Sequence, residues 1–306
     1  MKNKIVVIGS SNIDLIMKMD HLPEKGETVT DADFIQVYGG KGANQAVAAA
    51  RAGGNVAFVS CVGDDAYVPQ MIRNYKNDKI NTECVFQERE IASGHALIMI
   101  GDKGENYISV APGANYNLTS ERIDEALPII DEAAIIVMQY EIPEETIKYV
   151  IDIANSKNIP VLWNVAPARD FDFSYIPKVN ILVLNEVEAG FVAGITVKTQ
   201  KDAENAADIL IQKGVERVII TLGSQGAFAV TKNEKVNVKA FIVDAIDTTA
   251  AGDTFCGCFA VALVEGKNLK ESLLFASAGA SISVTRMGAQ PSAPIREEIE
   301  KFMNEH

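Results

Sequence analysis

Asp253 stands behind three small residues, Ala250-Ala251-Gly252, and ahead of an apolar run that begins Thr254-Phe255. Small side chains where a polar loop turns into a helix let backbone N–H groups converge. The first amides of a helix are unpaired and lie at its positive dipole end, so such a turn holds anions. The stretch Asp247 to Phe255 is therefore suited to a phosphoryl group. A carboxylate placed there would repel that group, which gives Asp253 a chemical role as general base toward a hydroxyl being phosphorylated. The plainer alternative is an Asp drawn into the first helical turn by the dipole alone.

Two further stretches carry polar groups where a ligand fits. Gly39-Gly40-Lys41-Gly42-Ala43-Asn44-Gln45-Ala46 sets Lys41 and Asn44 among glycines that permit close approach to backbone. It is not a P-loop, because Lys41 is followed by Gly and the four-residue spacer is missing. No GxGxxG follows the first strand, so a dinucleotide site lacks support. A Gly-rich loop opening an Ala-rich helix explains the same residues. Gly9-Ser10-Ser11-Asn12-Ile13-Asp14 puts Asn12 and Asp14 at the end of the first strand, as a pair for sugar hydroxyls or as ordinary turn formers.

Composition narrows the partners. The 306 residues are 48% hydrophobic and 23% charged, with a formal net charge of −13. No cluster of Lys and Arg offers the counterion release that nucleic acid binding requires. Phosphate must be held locally, by backbone amides and a few cations. Cys61, Cys84, Cys256 and Cys258 lack disulfide or zinc spacing and read as small buried thiols. His21, His95 and His306 are scattered, which disfavours a histidine triad or zinc site. The opening Met1-Lys2-Asn3-Lys4 runs directly into Ile5-Val6-Val7-Ile8 without a signal-peptide pattern or membrane-length apolar run, so a cytoplasmic protein is expected.

The elements that must position these groups alternate as in a layered α/β fold. Short Val- and Ile-rich runs at 5–9, 56–61, 134–138, 161–164, 181–185 and 217–222 read as buried parallel strands. Helices are expected over 42–52, 66–77, 120–131, 143–157, 199–213, 252–265, 269–286 and 295–303. Two segments, about 15–38 and 94–110, alternate instead. The second contains the turn Gly101-Asp102-Lys103-Gly104. We expect these to join as a small sheet over the C-terminal edge of the main sheet, with an extension of the main sheet's edge as the alternative. One domain, residues 1–306, accommodates all of this.

The three polar stretches together resemble the ribokinase/PfkB carbohydrate kinase family from Lys4 to Phe302. The family motif GG-x-x-A-N is met at Gly39 to Asn44, and D-T-x-G-A-G-D at Asp247 to Asp253 with Ala250 in place of Gly. Asn185 to Glu188 match its N-x-x-E motif, and Thr221 to Gly226 its nucleotide loop. The resemblance implies a three-layer α/β/α sandwich with a mainly parallel central sheet and a small β-lid. It implies ATP-dependent phosphorylation of D-ribose at O5, with another small furanose, or a catalytically silent sugar-binding regulator, as alternatives.

By the same resemblance, Asn12, Asp14, Gly40, Lys41, Asn44 and Glu141 line the sugar pocket, and Asp253 deprotonates the acceptor. The amides of Ala250, Ala251, Gly252 and Asp253 stabilise the transferring group. Asn185 and Glu188 act near the triphosphate, Glu188 through waters on Mg²⁺. Thr221, Gly223, Ser224, Gly226 and Ser277 hold the nucleotide, Ser277 standing where some relatives carry His. A K⁺ ion is implied beside Asp247, Thr249, Ser283, Arg286, Gly288 and Ser292. Asn12 favours ribose over 2-deoxyribose, since a deoxy sugar leaves a buried polar group unpaired. Apolar residues on both faces of the lid strands, with the family's habit of clasping two lids, lead us to expect a homodimer.

Overall fold

A computed structural model describes residues 2–306. The first strand, β1 (Lys4–Ile8), sends Val6 and Ile8 to one core and Ile5 and Val7 to the other, each with no exposed surface. That two-sided burial is what a central parallel strand requires, and it explains why the run is apolar throughout rather than alternating. The chain continues through β2 (Asn12–Met19), β3 (Asp33–Gly39), α1 (Lys41–Arg51), β4 (Asn55–Val62), α2 (Val68–Asn77) and β5 (Asn81–Gln87). Then come β6 (Gly94–Gly101), β7 (Asn106–Ala111), α3 (Ser120–Glu125), α4 (Leu127–Ile130) and β8 (Ala133–Met138). The second half holds α5 (Glu144–Ser156), β9 (Val161–Asn164), β10 (Ile181–Asn185), α6 (Glu186–Ala193), α7 (Gln200–Gln212) and β11 (Arg217–Thr221). It ends with β12 (Ala227–Thr231), β13 (Lys235–Val238), α8 (Ala251–Val264), α9 (Leu269–Ser283) and α10 (Arg296–Glu305).

Nine strands form the central sheet in the order β13-β12-β11-β10-β9-β8-β1-β4-β5. All neighbours are parallel except β11 with β12 and β12 with β13. Helices α5, α6 and α7 cover one face; α1, α2, α8 and α9 cover the other. This is the expected three-layer α/β/α sandwich.

The second sheet, β3-β2-β6-β7, is separate. It is not an edge extension. Strand β2 already begins at Asn12, before the expected start near residue 15, and residues 20–32 between β2 and β3 form no strand. Two other expectations change. The helix anticipated over 120–131 is interrupted at Ala126, because Pro128 in the first turn of α4 has no N–H to continue an upstream ladder. The helix anticipated over 269–286 ends at Ser283.

Helices α1 and α8 run close together, and this contact builds the site. Gly257 in α8 makes it possible: a Cβ there would stand 2.7 Å from Ala49 N and from Gln45 O. The Ala-rich face of α1 completes the fit, with Ala43, Ala46, Ala48 and Ala49 buried. No described helix is long and apolar enough to cross a membrane.

Candidate active site

The functional side chains gather at the C-terminal ends of the parallel strands, where open α/β sheets bind ligands. Ser10 to Asn12 follow β1, Gln139 and Glu141 follow β8, and Asn164, Asn185 and Thr221 end β9, β10 and β11. Helix α1 contributes Lys41, Asn44 and Gln45, and α8 contributes Asp253.

Asp253 is 5% exposed, and both of its carboxylate oxygens are engaged. Asn44 Nδ2 donates to Oδ2 at 2.9 Å and Gln45 Nε2 donates to Oδ1 at 3.0 Å. The Asp253 charge is the main reason the Lys41 ammonium is held above its ordinary pKa. Asn44 Oδ1 is buried without a protein partner, an acceptor turned to nothing in the fold itself.

Ahead of Asp253, Ala250 caps α8 in the left-handed region, at φ 57° and ψ 14°. The amide of Thr254 bonds to the carbonyl of Ala250 at 2.8 Å, and the amides of Gly252 and Asp253 precede it. Nothing approaches within 4 Å of where a Gly252 Cβ would lie, so this turn faces open space. It is the N-terminus of a 14-residue helix with free space in front of it, the geometry that an anion site needs.

Two cavities meet there. A cleft of about 410 Å³ is lined by Thr221, Gly223, Ser224, Gly226 and Ser277, all expected, and by Ala251, Gly252 and Phe255. Phe241, Ile242 and Val243, from the irregular stretch after β13, form another wall. A smaller cavity of about 210 Å³ holds Lys41, Asn185, Glu188 and Asp253 and shares Thr221, Thr248, Ala251 and Gly252 with the first.

Asn185 and Glu188 form a reciprocal capping box on α6: Asn185 Oδ1 accepts from the Glu188 amide at 2.8 Å, and Glu188 Oε2 from the Asn185 amide at 2.9 Å. Burial raises the Glu188 carboxyl above its usual pKa, partly countered by the Asn185 amide and then by Lys41.

On the other side of Asp253, Glu141 ties three elements together. Its Oε2 accepts from Ser10 Oγ at 2.5 Å and from the Lys41 amide at 2.9 Å. Asn12 is anchored by Asn115, whose Nδ2 donates to Asn12 Oδ1 at 2.7 Å. Asp14 lies on the same face of β2 as Asn12. Burial, then the charges of Glu141 and Asp253, push its carboxyl up to about 7.

At the other candidate centre, Asp247 accepts from the amides of Thr249 and Gly288, each at 2.9 Å. Burial raises its pKa, but these bonds outweigh burial and hold it below the ordinary value. Arg286, by contrast, spends its guanidinium on Glu298. The hydroxyls of Ser283 and Ser292 are bonded to the carbonyls of Ala280 and Ala289. All four cysteines are free and buried.

Several participants carry no role in the sequence reading: Ser10, Gln45, Asn115, Gln139 and Thr248. Neighbours such as Asn44 and Gln45 point to different sides of a helix, so nothing local shows that both reach Asp253. Helix α6 had a usable signal, since an Asx residue followed by Glu three positions later is a capping-box pattern.

A helix N-terminus shared by a nucleotide-sized cleft and a smaller polar cavity, with the buried Asp253 carboxylate lining the smaller one, is the arrangement of a kinase that phosphorylates a hydroxyl. The family model described as pfkB family carbohydrate kinase matches residues 2–296, and the chain belongs to that family. It is 38% identical over 303 residues to the ribokinase of Haemophilus influenzae, covering 99% of each. It is also 38% identical over 301 residues to the deoxyribokinase of Salmonella typhimurium, covering 98% of each. Among solved structures, Arabidopsis thaliana ribokinase complexed with ribose and ATP superposes with a TM-score of 0.92 at 32% identity, covering 99% of each chain.

Proposed function

We propose that this chain transfers the γ-phosphoryl group of ATP to O5 of D-ribose, giving D-ribose 5-phosphate and ADP. The observation that carries the reading is the placement of the buried Asp253 carboxylate in the smaller cavity, in the first turn of α8, directly after the Ala251 and Gly252 that line both cavities. Asp253 accepts the proton of the acceptor hydroxyl as its oxygen attacks the γ-phosphorus. The bond from that phosphorus to the β–γ bridging oxygen breaks, and ADP leaves with the electron pair. The amides of Ala250, Gly252 and Asp253 meet the charge on the transferring group, that of Ala251 beside them being bonded to the carbonyl of Thr248 at 3.3 Å, and Lys41 adds a cation. Preorganised donors of this kind supply most of the catalysis in phosphoryl transfer.

The ATP cleft is read from Thr221, Gly223, Ser224, Gly226 and Ser277, with Phe241 to Val243 as an apolar wall for the base. The donors present fit a hydrated Mg²⁺ carried by the nucleotide. Glu188 is nearly buried, its cap uses one oxygen, and Mg²⁺ keeps several waters and needs few carboxylates. Bound there, the ion neutralises triphosphate charge.

A K⁺ ion fits the loop pair bridged by the Asp247 carboxylate. Because the side chains of Ser283, Arg286 and Ser292 are engaged elsewhere, these residues and Thr249 and Gly288 would serve it through main-chain carbonyls. Replacing K⁺ by tetramethylammonium should lower turnover, and equal rates would discard this assignment.

The sugar pocket comprises Asn12, Asp14, Gly40, Lys41, Asn44 and Glu141, closed by the β3-β2-β6-β7 sheet as a lid. The far face of that lid exposes Phe34, Leu97 and Tyr107, at 60%, 54% and 58%. Such a patch is more than a soluble surface usually carries unpaired, and a second copy's lid is the cover we assign to it.

A second reading, 2-deoxyribose as substrate, has the equal similarity to deoxyribokinase in its favour. ATP turnover with ribose, 2-deoxyribose, fructose and adenosine, with Asp253→Asn as background, separates these. Turnover with ribose that collapses in the variant is expected. Turnover with another sugar keeps the kinase and overturns the pocket assignment. Ribose binding without turnover means a sugar-binding regulator.

A further inference from the structure

Three side-chain amides beside Asp253 form a chain whose donors and acceptors admit a single orientation. It starts at a backbone carbonyl, Val183 O on β10, which only accepts. Asn164 Nδ2 donates to it at 3.0 Å, so Asn164 Oδ1 must face the other way. There it accepts from Gln45 Nε2 at 3.1 Å. The same Gln45 nitrogen donates its second hydrogen to Asp253 Oδ1 at 3.0 Å. Gln45 Oε1 accepts from Gln139 Nε2 at 2.7 Å. Reversing any one amide would set two donors or two acceptors against each other in a dry site, which is how such amides are oriented. Gln45 has no exposed surface and Gln139 has 1%, so water cannot repair a mismatch.

Gln139 is itself held closely. A Cβ on Gly9 would stand 2.1 Å from Gln139 Oε1, so the end of β1 leaves room for this amide only as glycine.

We propose that Gln45 is a positioning residue for the catalytic base: its amide, locked by Asn164 and Gln139, anchors Oδ1 of Asp253 and turns Oδ2 toward the acceptor hydroxyl. Asn44 then completes the division. It donates to Oδ2 and keeps its own unpartnered Oδ1 for a sugar hydroxyl. The proposal rests on Asp253 being the base. Its distinctive consequence is a defect in turnover rather than in substrate binding, because Gln45 reaches the reaction only through Asp253.

The test is steady-state kinetics on Gln45→Met, Gln139→Met, Asp253→Asn and the double variant Gln45→Met/Asp253→Asn, with ribose and ATP. Gln45→Met is expected to lower kcat by about 10- to 100-fold, the scale of a slightly misplaced catalytic group. KM for both substrates should stay within about twofold, since the defect lies in the transition state. Gln139→Met should show a smaller loss of the same kind and covers the case that Gln45→Met does not fold. In the Asp253→Asn background, Gln45→Met should have no further effect. Undiminished kcat in soluble Gln45→Met and Gln139→Met, with Asp253→Asn silent, overturns the positioning role alone. Undiminished turnover by Asp253→Asn overturns the base assignment and the proposal with it.

Discussion

Asn115 hands Asn12 its polarity. The backbone amide of Ser11 donates to Asn115 Oδ1 at 2.8 Å, so Asn115 Nδ2 must face Asn12 and does so at 2.7 Å. Asn12 therefore accepts with Oδ1 and presents its own NH₂ as a donor, from a side chain that is 5% exposed. In the proposed pocket a sugar hydroxyl would satisfy that donor, and a missing hydroxyl would leave it unpaired at about 1–3 kcal/mol. Asn12→Met should lower the ratio of kcat/KM for ribose over 2-deoxyribose by about 10- to 100-fold. A ratio unchanged from the parent enzyme would refute this basis for selectivity.

Gly94 makes the pair possible. A Cβ at this position would stand 2.1 Å from Asn12 Oδ1 and 2.2 Å from Asn115 Nδ2. Gly94→Ala is expected to break the pair, raise KM for ribose by about tenfold or more and leave KM for ATP nearly constant. Parallel titrations of the two substrates read this directly.

Asp14 ties sugar binding to pH. Its carboxyl is pushed up to about 7, by burial first and then by Glu141 and Asp253. Sugar hydroxyls donate best to an ionised acceptor. KM for ribose should fall by about tenfold between pH 6 and pH 8, and Asp14→Asn should flatten that dependence. Stability carries the opposite sign. A carboxyl whose folded pKa is raised stabilises the fold at low pH, and that contribution is lost as pH rises through about 7. The Tm of Asp14→Asn relative to the parent should therefore climb from pH 5 to pH 8. A constant difference across that range would show that Asp14 does not titrate there.

Ala250 sits at φ 57°, where a Cβ costs about 1–2 kcal/mol. Glycine removes that strain but loosens the unfolded chain by about 0.4–1 kcal/mol. Ala250→Gly should match or exceed the parent's Tm with little change in turnover. Ala250→Val, β-branched at the same φ, should melt lower and lose kcat because the anion-holding amides shift. Thermal melts with parallel assays decide it, and a Gly variant that melts well below the parent would contradict the strain.

The lid predicts its own partner. Leu97→Glu with Tyr107→Glu places charge in the exposed apolar face that we assign to a second copy. Light scattering should show a dimer at micromolar concentration for the parent chain and a monomer for the double variant. A monomeric parent would remove the lid-to-lid contact from the scheme.

The sequence by itself determined the layers and pointed to the candidate groups for the chemistry. Short Val- and Ile-rich runs such as Ile5 to Ile8 read as strands buried on both faces, and the small residues ahead of Asp253 read as the opening of a helix. A boundary was less legible where proline decided it, as at Pro128, and helix α6 after Asn185 was not among the expected helices although its cap carries a local signal. What the tertiary structure alone decided is which polar groups meet. Asn44 and Asp253 are 209 residues apart, Gln45 and Gln139 are 94 apart, and Asn12 and Asn115 are 103 apart. Periodicity reports which face of an element is buried, because burial is a local property of spacing. Hydrogen-bond partnership across elements depends on how closely two helices and two sheets approach. Here that approach is set by the absence of a side chain at Gly257 and Gly94, which only the packed fold reveals.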